Sequence, residues 1–515
     1  MLHVHPHPFS FAVPRNICWL LAAVCALHFG LGASLGLSVD EAHYALYAAH
    51  PDWSYFDHPP LVGWAQWPLV AMGAPTWALR LVPELLWLGT ALIVYQLAER
   101  LQTFAADRGA ALVQAPLATG QAGLWAVLAL ALAPLLHVLG IGLLPDTLLV
   151  FFTALLVWTT LDLMDAATAR RPLPWLVLGV LLGLAGLSKY TAIFTAVAVA
   201  LCLLMAHGAP LLRNVWAWLA VALAVLLVVP VAYWNHANGW ISFTYQAKHG
   251  AGGGWQAGHV LRFLVVQLLV YGPLLLWGWA GWRYGVSRAV RSLGLFFVLP
   301  FAVLAVLSGG GTSLPHWTAP AWVALVPFVG IGLARALRQG RRWVILGLVA
   351  AQTLLCAVVL GLMLTGGQPF ITNTTGQGNS AQPSNPFADI HGWDAAGERA
   401  RALAAQHGLR SVAVQNWTLA SRLGWYARPL PVHVLEDRFD QFDLWAGDLP
   451  AGGDTLLLDW SQLGYAVPLG VHGFADCTLL DTQAVRRVGQ PISTFRFYAC
   501  HNWSGQPQPR LLGAS

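Results

Sequence analysis

The stretch VWAWLAVALAVLLVVPVAYW, residues 215–234, carries no charged side chain from end to end. As a helix it would rise about 30 Å, the thickness of the hydrocarbon core of a bilayer. Comparable runs recur at 16–38, 77–98, 117–138, 147–164, 174–188, 191–206, 260–282, 293–308, 317–334 and 343–365, so the pattern predicts about 11 membrane-spanning helices. Of the 515 residues 57% are hydrophobic and 10% charged, whereas a soluble α/β enzyme keeps its apolar segments short and its surface charged. The expected class is a mainly α, polytopic membrane protein. Residues 16–38 follow a single arginine and lead to no clear cleavage site, so they read as a retained first span.

Charge supports an orientation. Up to residue 366 there are 17 Lys+Arg and 10 Asp+Glu, and beyond it 10 and 12. With the N-terminus in the cytoplasm, alternate connections hold Arg100, Arg108, Arg170, Arg171, Arg213, Arg283, Arg288, Arg291, Arg335, Arg338, Arg341 and Arg342. The opposite set holds Lys189 and Lys248, with Arg80 and Arg262 at run edges. That asymmetry is the positive-inside pattern, so the basicity reports topology. No basic run interleaved with aromatics suggests nucleic acid as a partner. An odd number of spans puts everything after about residue 366 outside, which in a bacterium is the periplasm.

The tail changes character there. Residues 367–387 read as a Gly/Asn/Ser/Pro linker, and 388–515 as a small periplasmic α/β domain following a transmembrane domain at 1–366. The alternations SVAVQNW, TLLLDW and FRFYAC predict strands, and AAGERARALAAQHG predicts a helix ending at Gly408. Cys18, Cys25, Cys202 and Cys356 fall in apolar runs, while Cys477 and Cys500 sit in the tail, where an oxidising compartment would let them pair.

Ionisable residues gather on the outer side: Asp40, Glu41, His43, Asp57 and His58 from DEAHYALYAAHPDWSYFDHPPL (40–61), then Asp146, Lys189 with Tyr190, Lys248 with His249, and His316. Charges at a membrane boundary are costly unless paired or hydrated, so such a gathering suggests a site. Each has a blander reading. Asp40 and Glu41 could cap a helix, His58 could serve a turn before Pro59-Pro60, Asp146 after Pro145 could cap the fourth span, and His249 and His316 could be structural. Arg80 and Glu84 have the i,i+4 spacing of a helical pair. Lys189 could snorkel, yet it is one of two lysines in a chain that otherwise uses arginine, and a compact ammonium suits phosphate. No phosphate-binding glycine loop, Gly-x-Ser-x-Gly elbow or His-Glu-x-x-His helix occurs. No cofactor is expected and no obligatory metal, although paired acids such as Asp40 and Glu41 could hold a divalent cation.

Taken in order, Asp40-Glu41, Tyr55-Phe56-Asp57-His58-Pro59-Pro60, Leu144-Pro145-Asp146, Gly186-Leu187-Ser188-Lys189-Tyr190-Thr191 and Leu314-Pro315-His316-Trp317 resemble the bacterial members of glycosyltransferase family 39. That group is related to protein O-mannosyltransferases and to the aminoarabinose transferase of lipid A. The resemblance covers roughly residues 16–366 and implies the GT-C architecture. It also implies transfer of a sugar, typically with inversion, from a polyprenyl-phosphate donor to a lipid, protein or glycan acceptor at the outer face of the inner membrane. It gives Asp40 the role of general base, with Glu41 orienting it or the acceptor. Asp57, His58, Asp146, Lys189, Tyr190 and His316 fall to substrate binding, Lys189 and His58 opposite the leaving phosphate. One departure is plain: the aminoarabinose branch usually has Glu-Lys before the paired prolines, and this chain has Asp57-His58. Residues 40–61 would then form an amphipathic outer loop anchored by Trp53, Tyr55 and Trp64. Two other classes remain open, a transporter or flippase for a lipid-linked sugar and a non-catalytic envelope assembly protein.

Overall fold

The computed structural model describes residues 13–106, 117–284, 286, 288–371 and 384–509. Most of the expected linker, 372–383, lies outside them. The chain packs as two units: 1–30, 52–65 and 80–357 form the first, and 31–51, 66–79 and 358–515 the second. The second unit joins the C-terminal part of the chain with two segments from near the N-terminus.

Every apolar run of the sequence is helical. Seven helices are long and apolar enough to cross a membrane: Arg15–Ser34, Thr76–Thr103, Pro145–Leu163, Val215–Ala237, Val290–Gly310, Pro315–Arg338 and Arg342–Thr365. Two further runs are broken pairs, Gln121–Ala131 with Pro134–Ile141 bent by 77° and Ala257–Tyr271 with Pro273–Arg283 bent by 106°. Pro172–Ser188 and Ala192–His207 are apolar but short. Among the described residues seven helices are long enough to span by length and composition, or nine with each bent pair as one span, and the two short apolar helices occupy the other two expected runs. Hydropathy does not see a bend: Pro134 opens the second half of one pair, and Gly272 breaks the other at φ 84°.

Broken helices expose backbone polar groups, which lipid cannot satisfy. In the first unit the buried Gln352 meets that need, donating to the carbonyls of Leu132 (2.8 Å) and Tyr271 (3.1 Å) and accepting from the Leu274 N–H (3.1 Å). Close approach is set by small residues. A Cβ on Gly179 would lie 2.7 Å from the Ala220 carbonyl oxygen and one on Gly183 2.5 Å from Leu227, so GVLLG docks Pro172–Ser188 against Val215–Ala237.

The second unit has a five-stranded mixed sheet of β1 (Val412–Val414), β2 (Val432–Val434), β3 (Thr455–Trp460), β4 (Phe474–Arg487) and β5 (Gln490–Trp503), in the order β2-β1-β3-β5-β4. β1 runs parallel to β2 and β3, while β5 runs antiparallel to β3 and β4. Helix Trp393–His407 ends, as expected, at a left-handed Gly408. Cys477 and Cys500 face each other across the β4–β5 ladder and form a disulfide.

Residues 40–61 are not an amphipathic surface loop. Val39–Ala49 is a helix of the second unit, with Glu41 through Ala48 buried. In the first unit Trp53 is exposed, but Tyr55 is fully buried: its hydroxyl accepts the Asp52 N–H (2.9 Å) and its carbonyl accepts the Ser242 hydroxyl (2.8 Å). An alternating polar and aromatic string looks interfacial in sequence, and long-range partners decide otherwise.

Candidate active site

Three sequence-predicted residues meet in the first unit. Pro145 opens the helix Pro145–Leu163, and its Thr147 hydroxyl, not Asp146, accepts the Leu144 N–H (3.2 Å). Asp146 is therefore released from the capping task, and both its oxygens accept from Lys189 Nζ, at 2.8 and 2.7 Å. Lys189 stands just past the C-terminus of Pro172–Ser188, where the helix dipole favours a cation. His316 Nε2 lies 3.7 Å from Asp146 Oδ2.

Asp146 and Lys189 are 1% and 4% exposed, so each is the partner that replaces the water the other has lost. An ammonium has three donors, and Asp146 takes two. The third points to no described residue, and the Trp317 ring centroid lies 5.6 Å from Nζ. The turn that carries His316 and Trp317 is held by its own bonds: Tyr271 donates to the Pro315 carbonyl (3.1 Å), and Gln267 accepts from the Trp322 indole (2.8 Å).

Tyr190 packs edge-on against Phe243, with ring centroids 5.3 Å apart. Its buried hydroxyl has no hydrogen-bond partner among the described residues, although Ser54, Ser242 and Asn235 surround it and the Asp57 carboxylate acts on it electrostatically. Asp57 is half-buried, with its carbonyl accepting from the Gln246 amide, and the His58 carbonyl accepts the Tyr55 N–H (3.1 Å). A cleft of about 110 Å³ beside Pro315 is lined by Arg262, His259 and Ser313, whose buried hydroxyl lacks a partner among the described residues. Sequence reasoning misses Arg262 and Ser313 as site residues, although Arg262 is among the few cations of the outer set. Lys248 is exposed, and the side chain of His249 lies outside the described residues.

Asp40 and Glu41 belong to the second unit. Ser38 and Glu41 form a reciprocal capping box, so the capping reading holds for Glu41. Asp40 is half-buried, with the Arg422 guanidinium within its electrostatic reach. Arg422 pairs with Asp389, whose second oxygen accepts the Val39 N–H (3.1 Å), so that ion pair fixes the start of the helix carrying both acids. Its ring neighbours are Trp393 at 4.2 Å and Trp460 at 4.8 Å, and burial pushes the guanidinium down to about 9. His43 bonds Ser421 Oγ (3.1 Å). In the first unit, Glu84 does not serve Arg80 as its spacing suggests, since its carboxylate bonds His28 Nδ1 at 2.7 Å.

Among the described residues no group of three or more His, Cys, Asp or Glu side chains is arranged to hold a metal ion.

Residues 57–234 match the family model described as dolichyl-phosphate-mannose-protein mannosyltransferase. The whole fold matches ArnT from Cupriavidus metallidurans, solved bound to undecaprenyl phosphate, with a TM-score of 0.60 at 16% identity, covering 94% of this chain and 98% of that one. The apo form of the same protein gives 0.59 at 18% identity, covering 96% and 99%. The chain is thus similar to this family over about a third of its length and has the GT-C fold. At such identity the ArnT likeness carries the GT-C fold alone, including the small sheet domain at the C-terminus. A curated relative, the lipid A galacturonosyltransferase RgtD from Rhizobium johnstonii (strain DSM 114642 / LMG 32736 / 3841), is 27% identical over 298 residues, which is 56% of this chain. The match spans 58% of that relative's length.

Proposed function

We propose that this GT-C chain is an integral-membrane glycosyltransferase. It moves a sugar from a polyprenyl-phosphate donor to a lipid-linked, protein or glycan acceptor at the outer face of a bacterial inner membrane, with inversion at the anomeric carbon. The observation that carries the reading is the buried Asp146–Lys189–His316 cluster, whose lysine keeps one donor unassigned. Inverting transfer breaks the bond between the anomeric carbon and the lipid phosphate oxygen, so negative charge grows on the leaving phosphate. A fixed ammonium in a water-poor site stabilises that charge far more than it would in bulk water. Asp146 holds the ammonium in place, while Arg262 and Ser313 offer further donors to phosphate oxygens.

The solved neighbour bound to undecaprenyl phosphate supports a polyprenyl-phosphate carrier, and the lipid A galacturonosyltransferase supports transfer of a sugar onto a lipid. Asp40 is proposed as the base that takes the acceptor's hydroxyl proton, with Glu41 supporting it. No cofactor and no obligatory metal enters this reading. The arginine asymmetry and the disulfide of the second unit support an N-terminus in the cytoplasm and a C-terminal domain in the periplasm.

The test is mass spectrometry of polyprenyl-phosphate lipids and envelope glycans from cells with and without the gene, complemented by wild type or Asp40→Asn. The expected result is one sugar-loaded carrier accumulating and one glycan mass disappearing, with rescue by wild type alone. Rescue by Asp40→Asn would remove Asp40 from the mechanism. No change in either pool, with the protein present in the membrane, would overturn sugar transfer.

A further inference from the structure

The second unit contains a cleft of about 510 Å³ that the transfer reading does not use. Its walls are aromatic and aliphatic, with Trp67, Phe442 and Trp445 the largest groups, and Arg428 and His50 supply its ionisable side chains. No carboxylate lines it among the described residues. Arg428 and His50 are both exposed, so they stand at the rim where the cleft meets solvent, and no carboxylate of the lining pairs with the guanidinium.

Arg428 is held ready. Its guanidinium carbon lies 3.5 Å from the centroid of the Trp425 ring, and its Nε donates to the Trp425 carbonyl at 3.0 Å. Those contacts fix the plane of the fork and leave both terminal nitrogens donating to no described residue. A guanidinium fixed this way presents two parallel N–H groups to a carboxylate or phosphate. Beside it the His50 ring stacks on Trp445, with centroids 5.1 Å apart and planes 29° apart. Burial, and then the nearby Arg428 charge, push the His50 imidazolium down.

The volume is several times that of a bare oxyanion. Flat aromatic faces suit the C–H face of a pyranose. An acyl chain would use the walls and leave the fork without a partner. We propose that this cleft binds an anionic saccharide, a sugar ring held against the aromatic wall of Trp67 and Trp445 with its phosphate or carboxylate on the Arg428 fork. The proposal stands independently of the transfer reading, since it asks only for binding.

The test is titration of the full-length chain in nanodiscs, followed by calorimetry, with glucose 6-phosphate, glucuronate, methyl glucoside and inorganic phosphate. Saturable binding of either anionic sugar, with the neutral glycoside and free phosphate at least about tenfold weaker, is the expected result. Preference between glucose 6-phosphate and glucuronate then tells phosphate from carboxylate as the recognised group. Arg428→Gln should weaken the anionic sugar about tenfold or more, Arg428→Lys less, and Trp445→Ala should weaken both sugars together. Thermal melting of each variant checks its fold. The proposal is overturned if methyl glucoside or phosphate alone binds as tightly as the anionic sugars, if none of the four saturates, or if folded Arg428→Gln binds like wild type.

Discussion

Lys189 in the first unit and Arg422 in the second are both buried cations opposite an aspartate, yet they spend their donors differently. Lys189 gives two donors to Asp146 and keeps one. Arg422 gives Nε to the Thr418 carbonyl (3.1 Å) and a terminal amine to Asp389, and tryptophans stand over the guanidinium. Its work is finished inside the fold, because Asp389 passes the constraint on to the Val39 N–H. A buried ion pair is weak evidence for stability and weaker evidence for function. What separates these two is what encloses the charge: tryptophan rings at 4.2 and 4.8 Å cover the Arg422 guanidinium, whereas His316 and its turn are the remaining neighbours of the Lys189–Asp146 pair.

The strongest test of that contrast is Arg422→Met. It leaves Asp389 without its cation and removes both stacking contacts, at a cost on the order of 3 kcal/mol, read as a lower midpoint of thermal unfolding. The surviving folded fraction should keep a larger share of turnover than Lys189→Met does, although Arg422 also acts electrostatically on Asp40. Lost turnover with unchanged stability would instead make Arg422 part of the chemistry and erase the contrast.

Lys189→Met should act the other way. Turnover should fall about 100-fold or more, roughly 2.7 kcal/mol of transition-state stabilisation, with KM for the donor much less affected. Because this change also strands Asp146, the double variant Lys189→Met/Asp146→Leu belongs beside it. Stability should recover in the double variant while turnover does not, and recovery of both would reduce the lysine to a structural role.

How much of this is readable in the sequence follows from the range of the interactions involved. Helix positions, the stop at Gly408 and the grouping of Asp146, Lys189 and His316 depend on local periodicity and on motifs kept in order. Arg422 is invisible, since WTLASRLGWY reads as an amphipathic helix with a solvated arginine, and only Trp393 and Trp460 from distant segments bury it. Glu84 misleads for the same reason: the i+4 spacing to Arg80 is local, but His28 on another helix takes its carboxylate. The aromatics of residues 53–64 have the composition of an interface, and Tyr55 is buried because Ser242 supplies a partner from far along the chain.

Gln352→Leu extends the contrast to a neutral residue. The first unit also holds a closed polar arrangement there, in which one amide serves two carbonyls and one N–H at the helix breaks. Leucine fills the space and satisfies none of the three, so destabilisation of about 1–3 kcal/mol is expected, with turnover per folded molecule preserved. A melting midpoint like that of wild type would mean that water replaces the amide, and that the breaks are wetter than the buried Gln352 suggests.

The smallest expected effect belongs to His391, which sharpens the definition of a closed site. Its Nδ1 accepts from Arg487 Nε at 3.0 Å, and since a guanidinium only donates, that nitrogen carries no proton. Its Nε2 therefore carries the hydrogen, donated to the Met363 carbonyl at 2.8 Å. Burial, and then the Arg487 charge, push the imidazolium down to about 4 from the ordinary 6.5. Between those two values the unfolded chain binds a proton that the folded chain refuses, so stability contributed by His391 is present above pH 6.5 and is lost as the pH falls toward 4. His391→Gln can keep one hydrogen bond without titrating. Wild type should lose on the order of 1 kcal/mol more than this variant between about pH 7 and pH 5.5, measured as the difference in their unfolding midpoints. Parallel pH profiles would show that His391 takes up its proton in the folded state, turning Arg487 away and opening a site that the geometry closes.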